Sequence, residues 1–296
     1  MGKINLPLDK TANVNRAVVE DGVGLSESIG TRTRVRIFDS KSKKILYEGH
    51  NTTVLGGRLS LLEKAFGITP EVSQHLTLNQ MLGIEHSETS KVLSNSLDRS
   101  VCYFMAGKGA ASTTVPGKVY SPKNYETKLY DPIPFRLVPT SNDLSATEQE
   151  QYRLKKLMTF SGTEYYGYFA KKFDPGSVVV EYNDAEYLPQ ESHTVPVDEN
   201  DSTHPLSGGS VLAYVQFTLT IAEEELKEYF KVVNGSLSGA SMSEIGLVLG
   251  ADLANALDSG RKELAAAETF AKVVSSAVAM DSETSARVVE YRVYAR

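Results

Sequence analysis

The chain has 296 residues, 41% hydrophobic and 23% charged, enough for one large or two ordinary domains around a real core. Its formal net charge of −6 excludes the basic balance that generic nucleic-acid binding requires. A lone cysteine, Cys102, excludes an intramolecular disulfide and a cysteine-based metal cluster, and no apolar run approaches the ~20 residues that span a membrane.

Charge is uneven along the chain. Residues 31–50 hold six Lys/Arg against two Asp/Glu, whereas residues 181–230 hold eleven Asp/Glu and one Lys. Opposite charges of this kind can meet between copies of one molecule. The candidate inter-subunit contacts are therefore Arg32, Arg34 and Arg36 on one side and Asp198, Glu199 and Asp201 on the other.

Taken in order, residues 1–30 are polar, without aromatics or period, and read as an extended arm that orders on a partner. Their start lacks the apolar stretch of a signal peptide, and Leu6 breaks a myristoylation motif at Gly2. Residues 31–55 alternate as a hairpin, with Val35 and Ile37 between Arg34, Arg36 and Phe38 and a turn at 39–43. Gly56-Gly57 reads as its end, followed by a short helix over 58–66 with Leu59, Leu62 and Phe66 on one side. Residues 70–95 read as mixed helix and loop.

A strand at 101–106 carries Cys102 in an apolar run, which predicts a buried, unreactive thiol. Gly107-Lys108-Gly109 lacks the spacing of a phosphate loop. Five of the eleven prolines fall between Pro116 and Pro139, predicting an extended, edge-like segment. Strands follow at 152–160, 165–173 and 178–182, separated by turn signals at Ser161-Gly162-Thr163 and Asp174-Pro175-Gly176. Tyr165, Tyr166 and Tyr168 suit either a sheet face or a sugar platform.

Residues 184–209 form an acidic, proline-containing loop where the body can divide. It has oxygen ligands but not the pattern of a calcium loop. The histidines at 50, 75, 86, 193 and 204 are scattered, and Asp184 and Glu186 would serve a glycosidase only at the right separation in space.

Residues 210–221 are the cleanest strand, with Val211, Ala213, Val215, Phe217, Leu219 and Ile221 on one face. A helix is predicted over 223–233 from Leu226, Tyr229, Phe230 and Val233, with a Thr220/Glu223 capping box and a stop at Asn234-Gly235. Strand-like runs at 243–250, 270–280 and 286–295 close the chain.

Three groups of segments carry a family resemblance: Asn51-Thr-Thr-Val-Leu-Gly-Gly-Arg58; Asp131-Pro-Ile-Pro-Phe-Arg-Leu-Val-Pro139 with Asp143-Leu144 and Tyr165-Tyr-Gly-Tyr-Phe169; and Ser243-Glu-Ile-Gly-Leu-Val248 with Phe270-Ala-Lys-Val273 and Arg287-Val-Val-Glu-Tyr-Arg-Val-Tyr294. Together they resemble virion structural proteins of contractile-tailed bacteriophages. Val274-Ser-Ser-Ala277 departs from the family pattern, which carries Phe and Pro there. The resemblance implies that the last two segments pair as strands. It also implies a non-enzymatic neck, head–tail connector or collar subunit without cofactor, repeated in a ring beside portal, adaptor or tail proteins. Such a subunit would assemble in the host bacterial cytoplasm, with neither membrane nor sequence-specific nucleic acid as partner. Baseplate or tail protein and carbohydrate- or receptor-binding module are the alternatives.

The fold expected is mainly β (α+β): an antiparallel sandwich or open barrel at 31–296 with a few short helices, plus the 1–30 arm.

Overall fold

The computed structural model describes residues 34–66, 77–84, 98–112, 118–120, 126–182, 211–254, 261–282 and 286–295. The 1–30 arm, Arg32 and the 184–209 loop with Asp198, Glu199 and Asp201 lie outside the described residues, as do Asp184, Glu186 and every histidine but His50.

Two antiparallel sheets face each other, and neither closes into a barrel. The first runs β2 (Ile45–Gly49), β1 (Arg34–Asp39), β13 (Arg287–Ala295), β10 (Val211–Ile221), β9 (Val178–Tyr182). The second runs from β3 (Thr52–Thr53) through β12 (Lys262–Ala279) and β11 (Ser241–Ala254) to β4 (Ser100–Gly107) and β8 (Thr163–Lys172). β7 (Tyr152–Phe160) pairs with β8 along its length. The expected hairpin at 34–49 forms, and the β7–β8 hairpin turns on Ser161 and Gly162 at φ 48° and 81°. Two successive positive φ values match the twist of a tight hairpin, which is what made that turn readable.

The five-stranded sheet shows the period of two. Val35, Ile37, Leu219, Ile221, Val289 and Tyr291 point inward and are buried. They meet Phe104, Ala106, Ile245, Leu247 and Val273 of the second sheet to form the sandwich core. The second sheet is covered on both faces. Tyr103, Met105, Phe169, Val248 and Leu264 point the other way and pack under Leu78 and Leu82 of helix α2 (Leu78–Leu82) and under Leu129. Burial on both sides removes alternation, so β11 reads as a near-continuous apolar run.

Several expectations shift. Helix α1 (Leu55–Phe66) begins at Leu55, so Gly56 and Gly57 lie inside its first turn and do not end the hairpin. A Cβ on Gly57 would stand 2.1 Å from the Phe270 carbonyl oxygen, so the pair lets the helix touch β12. Helix α4 (Lys227–Asn234), after the short helix α3 (Ala146–Gln149), starts four residues later than predicted. Thr220 belongs to β10, and Leu226 enters the helix at φ 67° without a side-chain cap. Glu225, one of the residues assigned to the first turn, is instead fully buried in a side-chain network. The segments holding Phe270–Val273 and Arg287–Tyr294 do not pair: β12 pairs with β11, and β13 with β1 and β10.

The described part of the proline-rich stretch is extended and edge-like, as expected, each of its short strands pairing on one side only among the described residues. β5 (Pro132–Ile133) pairs with β4 and β6 (Arg136–Pro139) pairs with β8, so the chain enters and leaves the gap where β4 and β8 diverge. Phe135 sits at the apex, fully buried and edge-on to Phe104 at 4.9 Å. The free side of this wedge meets α4, whose Glu228 takes the Leu137 N–H at 2.8 Å and both prongs of Arg136 at 3.1 Å.

Candidate functional site

Buried charge is concentrated in networks that join elements distant in sequence. Asp252 of β11 accepts the Tyr103 hydroxyl at 2.6 Å and Arg153 at 2.8 and 3.2 Å. Burial pushes the Asp252 carboxyl upward, but hydrogen bonds from Arg153 and Tyr103 outweigh it and hold its pKa below the usual value. Arg153 also donates to the Gln149 and Glu150 carbonyls at the end of α3. Glu225 accepts the Tyr152 hydroxyl, Lys171 and the Ala222 N–H. Asp143 accepts Lys155, the Tyr168 hydroxyl and the Leu144 N–H. Each carboxylate is spent on fastening strands together.

Glu244 of β11 is different. Only 1% of the residue is exposed, and its Oε2 accepts the Tyr130 N–H at 2.8 Å. Its Oε1 has no hydrogen-bond partner among the described residues. Burial raises its pKa to about 6, with Glu126 and Asp131 adding to the rise and the Tyr130 N–H and Lys272 opposing it. Lys272 is itself fully buried, ion-paired with Glu126 and 4.1 Å from the centre of the Tyr130 ring. Among the described residues no three His, Cys, Asp or Glu stand close enough to hold a metal ion. No described helix is long and apolar enough to cross a membrane.

Residues singled out in the sequence fall as follows. Lys108 of the Gly107-Lys-Gly109 run reaches the Tyr229 hydroxyl at 3.2 Å and Asp131 at 3.5 Å, so its ammonium ties the strand to α4. The tyrosines form no flat platform: Tyr168 is buried against Asp143, and Tyr166 lies 3.7 Å under the Lys155 ammonium. Cys102 is half-buried and not enclosed, because it faces an open cavity of about 470 Å³ with Gln151, Lys172 and Phe173 on its walls. Burial still raises its thiol pKa, which keeps it the weak nucleophile expected.

Arg34 and Arg36 project from the outer face of the five-stranded sheet. Both reach Glu48 of β2, at 2.6 and 3.3 Å, and hydrogen bonding from Arg34 holds the Glu48 carboxyl below its usual range. One contact between the basic and acidic stretches lies within the chain, Lys41 to Glu223 at 2.8 Å. The outer face also presents a residue that sequence reasoning missed. Arg292 of β13 is the cross-strand partner of both Arg34 and Gln216. Alternation in β13 puts Val288, Glu290 and Arg292 on one face, which was readable; its register against β1 was not. This arginine-bearing face is the candidate functional surface, and β9 leaves one edge of the same sheet without a strand neighbour among the described residues.

No curated protein and no solved structure matches the chain. The model of one family, a family of unknown function (DUF7208), matches residues 40–288. That span covers most of the chain and takes in strands of both sheets, though Arg34, Arg36 and Arg292 of the arginine face lie outside it, and the chain belongs to that family.

Proposed function

We propose that this chain is a non-enzymatic structural subunit of a tailed-phage virion, placed in the neck, connector or collar and working by association with copies of itself and with neighbours. The observation that carries the reading is how the segments resembling virion proteins of contractile-tailed phages lie in the fold. Thr53 pairs with Ala271 and Ile245 with Val273, while Gly57 packs on Phe270. Arg136 to Pro139 pair with Tyr165 to Tyr168 in the same sheet. Most of these short segments thus meet in or against the eight-stranded sheet, while Arg287 to Tyr294 lie in the five-stranded one, and that shared framework is what supports the reading.

The distribution of charge supports the passive character. Asp252, Glu225 and Asp143 each hold two or more elements together, as a load-bearing subunit needs. Repeated interfaces would spread load that no single chain, stable by only ~5–15 kcal/mol, can carry. Sedimentation velocity on the full chain tests the reading. A defined oligomer that grows in with concentration is expected, and a monomer at every concentration overturns it.

A further inference from the structure

The face of the second sheet that packs under Leu129 is crossed by a strap, residues 126–131, and that sheet's side chains hold it down. Thr269 of β12 donates to the Thr127 carbonyl at 3.1 Å, and Lys272 to the Lys128 carbonyl at 3.4 Å. Leu129 is 1% exposed and drops into a notch made by two glycines on neighbouring strands. A Cβ on Gly246 of β11 would stand 2.6 Å from its Cδ1, and a Cβ on Gly107 of β4 would stand 3.2 Å from its Cδ2. The Tyr130 N–H donates to Glu244 at 2.8 Å, and the Asp131 carbonyl accepts the Lys108 N–H at 2.9 Å. Glu244 lies beneath the strap, with Gly107 opposite it on β4 and Val274 opposite it on β12. The titratable groups around it are Lys272 of β12, Glu126, Tyr130 and Asp131 of the strap, and Lys108 just past β4. Both cations are engaged by strap carboxylates, Lys272 by Glu126 and Lys108 by Asp131. Glu244 has no ion pair, and its Oε1 no hydrogen bond, among the described residues. Its charge is answered directly by one N–H, which belongs to the strap itself.

We propose that the strap is a latch worked by pH, seated while Glu244 holds a proton and lifted when Glu244 gives it up. An ionised carboxylate shut away from water without a cation of its own is far costlier than a neutral carboxyl. Asp252, Glu225 and Asp143 escape that cost because each takes an Arg or Lys side chain. Glu244 escapes it only by binding a proton or by meeting water, and water reaches it when the strap rises. Lifting gives up the seat of Leu129 and the Tyr130 hydrogen bond, and it leaves β4, β11 and β12 paired with one another. Burial puts the seated carboxyl at about 6 against 4.5 when solvated, so the seated form binds the proton more tightly. The strap is therefore held most firmly below about pH 4.5 and loosens as pH rises through 6.

Hydrogen exchange of the full chain tests this, read by mass spectrometry on peptides spanning residues 126–131 at about pH 4.5 and pH 7.5. Comparing wild type with Glu244→Gln at each pH cancels the intrinsic pH dependence of exchange. The wild-type rate relative to the variant is expected to rise ~10-fold from the lower pH to the higher. At the higher pH the wild-type strap should also exchange faster than the core of β11, because lifting is local. Leu129→Ala, which empties the notch, should speed exchange of the strap at both pH values. A wild-type-to-variant ratio that does not change with pH overturns the latch. So do strap amides that exchange only as slowly as those of β11, a comparison that needs no variant.

Discussion

The Tyr103 hydroxyl of β4 sits 2.6 Å from Asp252 of β11, and the same carboxylate pairs with Arg153 of β7. Three strands distant in sequence meet at one acid beside the cavity that Cys102 faces. Arg153 has a side chain only 1% exposed, so it depends on that partner. Asp252→Ala is expected to destabilise the fold by ~3 kcal/mol, the low end for breaking a buried pair, because Asp252 retains some contact with water. Tyr103→Phe, which removes one hydrogen bond, should cost ~1 kcal/mol. Because the folded Asp252 pKa lies below its unfolded value, its contribution is present above the unfolded pKa and fades as pH falls through the folded one. Urea titrations of both variants, at neutral and acid pH, check the size and the sign.

Tyr291 offers the opposite case. It is fully buried, its ring stacks on Phe217 at 5.2 Å, and its hydroxyl has no hydrogen-bond partner among the described residues. An unsatisfied buried hydroxyl costs ~1–3 kcal/mol, so Tyr291→Phe should raise stability by ~1 kcal/mol or more. A loss of stability in chemical denaturation would show that the hydroxyl is partnered in solution.

Glu244 should make stability fall as pH rises. Its pKa climbs from 4.5 to about 6 on folding, so the native state holds the proton more tightly than the unfolded chain does. The protonated form carries no penalty below about pH 4.5, and the cost grows through pH 6 to ~2 kcal/mol at neutral pH. Glu244→Gln keeps an acceptor for the Tyr130 N–H and removes the titration. The variant should match wild type near pH 4.5 and exceed it in denaturation midpoint at pH 7.5. A difference that does not change with pH would mean that the acid is not perturbed.

Gly57 tests the contact between α1 and β12. Because a Cβ would fall 2.1 Å from a backbone oxygen, Gly57→Ala has to move the helix away from the sheet. A loss of ~1–3 kcal/mol is expected, despite the better helix propensity of alanine. A thermal melt equal to wild type would show that the helix shifts at no cost.

Local signals were legible where one face of an element meets water. Alternation at Val35 and Ile37, and at Phe217, Leu219 and Ile221, marked inward faces correctly, and Ser161-Gly162 marked a hairpin. Reading failed where tertiary contacts override local preference. The Gly56-Gly57 pair looks like a terminator until the backbone at Phe270 supplies a reason for it inside a helix. Glu225 looks like a first-turn helix acid, but Tyr152 and Lys171 draw it into the core. Proline marked the segment around Phe135 as edge-like, but its place in the gap where β4 and β8 diverge is encoded by no pattern within the segment. The arginine face was half legible: Arg34 and Arg36 stood out as charges, whereas Arg292 joins them only through a register across 258 residues of chain.

Assembly is the central claim, and images of the purified full chain by electron microscopy test it most directly. The account predicts closed rings of repeated subunits with rotational symmetry. A field of single, unassembled particles at concentrations well above a ~1 μM dissociation constant would contradict it.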